Sequence, residues 1–166
     1  PLDALIRHAG HQVADRRVLQ EPGEALEILL LLLDPVVGAA VLVGISAGDD
    51  PDTVDRMADK LVGLRYFEDD AGRTNLSIGE VGGALLVVSQ FTLYAELRRG
   101  RRPGFTDAAA PDDAEPLVDR FVARLRASGS RAATGRFGAE MELELVNDGP
   151  FTLVLDSERD LAAGPG

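Results

Sequence analysis

Ala84-Leu85-Leu86-Val87-Val88-Ser89-Gln90-Phe91-Thr92-Leu93-Tyr94 is the most informative run in the chain. Its first half is aliphatic and β-branched without interruption, the pattern of a strand buried on both faces of a sheet. Its second half carries polar residues in that apolar setting. Side chains alternate across a sheet, so the spacing predicts Ser89, Phe91 and Leu93 on one face and Gln90 and Thr92 on the other. Taken alone, hydroxyls and an amide within a strand are packing partners whose hydrogen bonds are satisfied internally. A Ser or Thr nucleophile also needs a neighbouring base, and none stands nearby in sequence.

Outward from this run, Ala39-Ala40-Val41-Leu42-Val43-Gly44-Ile45 reads as a second central strand. Between the two, Asp50 is a good N-cap and Pro51 suits a first helical turn. Val54, Met57, Ala58, Leu61 and Leu64 then recur at helical spacing. A helix over 51–64 should therefore pack on the sheet. Residues 65–68 and 73–78 flank the turn Asp69-Asp70-Ala71-Gly72 as a hairpin. Downstream, Asp112, Asp113 and Glu115 favour a helix N-terminus and Leu117, Val118, Phe121, Val122 and Leu125 give that helix an apolar face. Gly129 should stop it. Met141-Glu142-Leu143-Glu144-Leu145 alternates as a strand does, Asn147-Asp148-Gly149-Pro150 is a turn, and residues 151–155 form a last strand. Strands and helices mix with hairpin-like joins. The expected class is α/β (α+β): a compact mixed β-sheet or barrel-like domain with two main helices packed on it.

The 166 residues suit one domain, with 45% hydrophobic and 27% charged residues. No cysteine is present, so disulfides, thiolate metal sites and thiol nucleophiles are excluded. The two histidines, His8 and His11, lie near the start and read as surface residues. P-loop, dinucleotide-binding glycine pattern, paired-histidine metal motif and nucleophile elbow are all absent, and no cofactor or metal is expected. The most apolar stretch, residues 28–33, is far short of the roughly 20 a membrane span needs. With no signal-peptide pattern at the start, the expected location is the cytoplasm and no membrane partner is expected. Against 17 Lys+Arg stand 28 Asp+Glu, a net charge of −11, which argues against broad nucleic-acid binding and against DNA as a partner. An RNA partner must meet a local basic patch. Residues 96–102 supply one: four arginines, Arg98, Arg99, Arg101 and Arg102, against Glu96, or 4 − 1 = +3. Lys60, Arg65 and Arg136 could extend it. Without further context the same cluster is a solvated loop.

Two motifs, in this order, carry a resemblance. Ser89-Gln90-Phe91-Thr92-Leu93 matches a Ser-Gln-x-x-Leu element, and Asn147-Asp148-Gly149-Pro150-Phe151-Thr152 matches an Asn-x-Gly-Pro-x-Thr element. Asn75-Leu76-Ser77, Gly100-Arg101-Arg102-Pro103 and Thr134-Gly135-Arg136-Phe137-Gly138-Ala139 accompany them. Over residues 38–157 the chain resembles the D-aminoacyl-tRNA deacylase family, also called D-Tyr-tRNA deacylase.

The resemblance implies a homodimer that hydrolyses the ester of D-aminoacyl-tRNA, and of glycyl-tRNA, at the acceptor end, a proofreading activity in translation. It implies a cis Gly149-Pro150 peptide that enters the partner's site and excludes L-aminoacyl groups by clash, with Asn147 and Thr152 flanking this filter. Ser89, Gln90, Phe91 and Thr92 would surround the ester as the catalytic set. Leu93, Phe137, Gly138, Ala139 and Met141 would hold the terminal adenosine and its aminoacyl group. The four loop arginines would meet phosphates. Catalysis would draw on the 2′-hydroxyl of the terminal adenosine, the protein supplying orientation and backbone donors. Two other readings stay open: a non-catalytic module for the tRNA acceptor end, and a general small-ester hydrolase using Ser89 or Thr92.

Residues 1–37 form a divergent N-terminal segment ahead of the core at 38–157 and a flexible tail at 158–166. Family members open with a strand of the form Arg-Ala-Val-x-Gln-Arg-Val. The corresponding stretch here is Arg16-Arg17-Val18-Leu19-Gln20-Glu21-Pro22, with Glu21 where the resemblance implies a bracing arginine for the Gly-Pro loop. Pro22 would interrupt that strand's ladder.

Overall fold

The computed structural model describes residues 3–9, 37–98, 100–143, 145–147 and 151–161, the first of these through its backbone. A five-stranded sheet organises them, built from β1 (Asp3–Ala9), β2 (Gly38–Gly44), β5 (Ala84–Ser89), β6 (Arg131–Thr134) and β7 (Thr152–Asp156) in the order β6-β5-β2-β1-β7. β2, β5 and β6 run parallel, while β1 is antiparallel to both β2 and β7. β3 (Arg65–Glu68) and β4 (Thr74–Ser77) form a separate hairpin. The mixed class and the two main helices match the sequence reading. The sheet is open: among the described residues no pairing joins β6 to β7, so no barrel closes.

The helices form where capping and periodicity place them. Asp50 accepts a hydrogen bond from the Thr53 N–H at 2.7 Å and starts α1 (Pro51–Gly63). α2 (Pro111–Ala127) opens with Asp112 and Asp113 in its first turn and is followed by Gly129 at φ +88°. Both cover one face of the sheet. There Val41, Val43, Leu85 and Val87 meet Val54, Met57 and Leu61 of α1 and Val118, Phe121 and Leu125 of α2, all 0–4% exposed. Two bidentate ion pairs tie the helices outside this core, Arg120 to Asp55 at 2.7–2.8 Å and Arg124 to Asp59 at 2.7 Å. Each partner set is four apart on its own helix, so both pairs fall on one seam.

Three sequence expectations change. The strand beginning at Ala84 ends at Ser89, and Phe91–Tyr94 is a 3-10 turn, so the alternation predicted for Gln90 through Leu93 does not apply. The cause is the neighbours: β2 runs out one residue after the Val43–Ser89 pair, and β6 ends at the Thr134–Val87 pair. No ladder remains to hold an extended chain beyond. Residues 141–143 and 145–147 likewise belong to no strand, because no neighbouring segment among the described residues pairs with them. Finally, the strand preceding β2 is Asp3–Ala9, upstream of Arg16 to Gln20. Residues 10–36, with His11, lie outside the described residues, and so do the side chain of His8, Arg99, Gly149, Pro150 and the end of the chain from 162. A one-turn helix, α3 (Ser157–Asp160), follows β7.

Candidate active site

β5 delivers Ser89 to the carboxyl end of the parallel strands, on the helix-covered side beside Val43. In open α/β sheets that end is where ligands bind. The chain then turns. The Gln90 N–H donates to Val43 O at 2.7 Å, the last bond of the sheet, and Gln90 takes φ −145° and ψ 83°. The Leu93 N–H donates to Gln90 O at 3.3 Å and the Ala95 N–H to Thr92 O at 3.2 Å. Gly44 makes room for this turn: a Cβ there would lie 2.9 Å from Tyr94 Cε2, 3.2 Å from Gln90 O and 3.2 Å from Leu93 Cβ. The first N–H groups of such a turn have no acceptor within it, so those of Phe91 and Thr92 are available to a ligand.

The Gln90 amide Nε2 donates to Thr92 Oγ1 at 2.5 Å. Thr92 is exposed and Phe91 is 57% exposed, its ring held edge-on by Phe105 with centroids 5.0 Å apart. Phe105 is silent in the sequence, because an aromatic after a Pro-Gly step carries no signal of its own. Among the described side chains, neither Ser89 nor Thr92 is hydrogen-bonded to a carboxylate, so neither hydroxyl has a visible activating base.

The second cluster reaches the same end. The Gly135 N–H donates to Val87 O at 3.0 Å, and the chain turns through Arg136, Phe137 and Gly138, the last at φ +69°; the Ala139 N–H closes on Arg136 O at 3.3 Å. Phe137 packs against the core, and Met141 lies over Gly135: a Cβ on Gly135 would meet the Met141 sulfur at 2.7 Å. The basic loop springs from here too. Glu96 and Gly104 bridge its base, and residues 107–109 cross the end of β2 through Asp107 O to the Ala47 N–H and the Ala109 N–H to Ile45 O. Arg98 is not idle: it chelates Glu96, whose carboxylate also takes the Arg98 backbone N–H, and these bonds hold the Glu96 carboxyl down at about 2.

Thr152, at the end of the Asn-Gly-Pro-Thr element, does not join this cluster within one chain. Thr152 pairs with Arg7, which pairs with Ala40, whereas Ser89 pairs with Val43. Three residues at about 3.3 Å and three strand spacings at about 4.8 Å separate them by roughly 10 Å along the strands and 14 Å across. Asn147 instead lines a depression of about 430 Å³ on the open face with Ala40, Leu42, Leu143 and Leu145, and its buried Oδ1 has no hydrogen-bond partner. Among the described residues no group of His, Asp and Glu side chains could hold a metal ion, and no helix is long and apolar enough to cross a membrane.

A family model described as D-Tyr-tRNA(Tyr) deacylase matches residues 36–156. The chain is 59% identical over 122 residues to the D-aminoacyl-tRNA deacylase of Symbiobacterium thermophilum, covering 74% of this chain and 81% of that protein. It is 46% identical over 149 residues to that of Thermotoga petrophila, covering 87% and 98%. Among solved structures, the c-Myc DNA Unwinding Element Binding Protein superposes with a TM-score of 0.72 at 29% identity, covering 94% of this chain and 98% of that one. A probable eukaryotic D-amino acid tRNA deacylase superposes with a TM-score of 0.70 over 93% and 98%, and at 17% identity it speaks to the fold alone. The fold is thus that of a class of hydrolases, the tRNA deacylases these comparisons name. The chain belongs to the D-Tyr-tRNA(Tyr) deacylase family.

Proposed function

We propose that the chain hydrolyses the ester bond of D-aminoacyl-tRNA, and of glycyl-tRNA, releasing free tRNA and the amino acid in the cytoplasm. The observation that carries this reading is the 3-10 turn at the end of β5, in a chain of this family. It presents two open N–H donors, from Phe91 and Thr92, beside Gln90, with no base among the described side chains to make Ser89 or Thr92 a nucleophile. Such a site suits attack by water. The water oxygen bonds to the carbonyl carbon, the bond from that carbon to the ribose 3′ oxygen breaks, and the proton passes to that oxygen. The backbone donors stabilise the developing oxyanion and the neighbouring 2′-hydroxyl orients the water. Phe137, Gly138, Ala139 and Met141, at the same sheet end, hold the terminal adenosine.

The separation of the two motifs supports a homodimer. If the Gly149-Pro150 element excludes L-aminoacyl groups, it reaches the turn at Ser89 from a second copy, because Thr152 and Ser89 stand at opposite ends of the sheet in one chain. Incubation with D-Tyr-tRNA and L-Tyr-tRNA tests the reading: release of the D-amino acid alone is expected, and equal release or none overturns it. Thr92→Ala should keep most of the activity; complete loss in a folded variant would restore Thr92 as nucleophile.

A further inference from the structure

Resting on the deacylase reading above, we infer that the tRNA backbone is gripped by Arg101 and Arg102 on the loop and Arg136 on the turn after β6, while Arg98 serves as that loop's internal brace. Of these, Arg136 lies outside the basic cluster, and Arg98 inside it is already taken.

The argument is one of commitment. On this acidic chain, most described arginines spend their charge within the protein. Arg120 and Arg124 bind α1 carboxylates, Arg73 binds Asp69, and Arg159 binds Asp160. Arg65, which could have extended the patch, bonds Asn75 Oδ1 at 3.3 Å and lies 3.9 Å from Glu80. Arg56, Arg126 and Arg131 donate to backbone carbonyls. Lys60 sits on the helix layer, its charge felt by Asp160. Among the described residues, Arg101, Arg102 and Arg136 are the exposed guanidinium groups with no protein acceptor.

Their placement is not scattered. The loop bearing Arg101 and Arg102 is anchored across the end of β2 through Asp107 and Ala109, and Arg136 lies two residues beyond the end of β6. β2, β5 and β6 are parallel, so all three cations flank the carboxyl end that also carries Ser89 and the exposed ring of Phe91. Uncommitted guanidinium groups pair phosphates without first breaking an internal bond. An exposed aromatic at the same end offers a face for a base. A single-stranded, phosphate-linked 3′ end fits this combination.

Each phosphate neutralised should release counterions worth a salt slope of about 0.7–0.9, or roughly five- to eightfold in affinity at 0.1 M salt. Binding of a purified tRNA with an intact 3′ CCA end, followed by fluorescence anisotropy over a salt series, reads this directly. Arg136→Gln and the double variant Arg101→Gln/Arg102→Gln should each flatten the slope, by about one contact and about two, and Arg136→Lys should restore it. Arg73→Gln removes the same charge from the β3–β4 turn and should leave the slope unchanged, with Arg98→Gln flattening it less than Arg136→Gln. An Arg136→Gln slope equal to that of the wild type overturns the inference, as does equal loss from Arg73→Gln. The hydrolysis assay separates the two readings. Release of D-tyrosine by a wild-type protein whose slope ignores Arg136 leaves the enzyme and removes the surface. An altered slope without hydrolysis keeps the surface and removes the enzyme.

Discussion

The two faces of the sheet are built from the same alternating strands and end in opposite states. On one face, Val41, Val43, Leu85 and Val87 are covered by α1 and α2 to 0–1% exposure. On the other, Leu42, Leu86 and Val88 remain partly open, Val154 is 56% exposed, and Leu143 and Val146 lie over the surface at 42% and 52%. The hydrophobic effect is blind to which face a residue occupies; a covering layer decides whether its burial stabilises the fold. The helix-covered face is complete within one chain. Among the described residues the open face carries apolar side chains like those of a core without a second layer, and the turn after β5 packs closely on Gly44 at the end of the sheet.

The largest effect that could break this contrast is in unfolding. Leu85→Ala should cost about 3–5 kcal/mol in denaturant unfolding, and Val154→Ala, of the same chemistry on the exposed side, about 0.5 kcal/mol or less. Equal costs would mean that the open face is covered in solution. A cover supplied by a second copy, as the proposed homodimer requires, would make the wild-type melting midpoint rise with protein concentration, a dependence that Leu143→Asp should abolish. A midpoint independent of concentration would rule out a second copy as that cover.

At the junction, Gly44→Ala sharpens the contrast, because the new methyl would press on Tyr94 and on the carbonyl of Gln90 rather than on the core. A stability cost of about 1–3 kcal/mol is expected, with kcat for D-Tyr-tRNA reduced about ten- to hundredfold by displacement of the Phe91 and Thr92 donors. Unchanged kcat would detach the turn from the chemistry. Gly135→Ala should do less, since the obstructing Met141 sulfur ends a flexible side chain: KM should rise with kcat little altered.

The smallest effect is electrostatic. The Glu96 carboxyl is held at about 2 by Arg98, below its ordinary 4.5, so the pair's contribution is fully present above about 4.5 and lost as pH falls through about 2. Asp55 and Asp59, lowered by Arg120 and Arg124, behave with the same sign below their ordinary 3.8. Thermal stability should therefore be flat through neutral pH and fall only in acid. Glu96→Gln should remove part of that acid dependence, and an unchanged acid profile would show that the loop does not need its brace.

Much of this architecture was legible in the residues. Asp50 before Pro51, the spacing of Val54, Met57 and Leu61, and Gly129 after Leu125 mark helix ends and faces by local chemistry, and the structure follows them closely. What was not legible depends on neighbours. Met141 to Leu145 alternates as well as any strand here, yet alternation only describes which side a residue faces; a ladder needs a second backbone. Gln90 to Tyr94 continues an apolar run, yet it coils because β2 and β6 stop beside it. The family pattern points to Arg16 for the first strand, while Asp3–Ala9 pairs through backbone groups that any sequence carries. Phe105 and the difference between Arg98 and Arg136 were invisible for the same reason.

The sequence by itself determined the two main helices, the covered core and the family, since capping, periodicity and the two motifs are properties of residues close along the chain. Only the tertiary structure decided which residues act together. Strand order placed Ser89, Phe137 and the arginine loop at one end of the sheet and Thr152 at the other. Internal hydrogen bonding and ion pairing decided which described arginines remain uncommitted. Both are long-range outcomes: a pairing register and a charge already neutralised depend on what the fold brings alongside, and no local pattern records that.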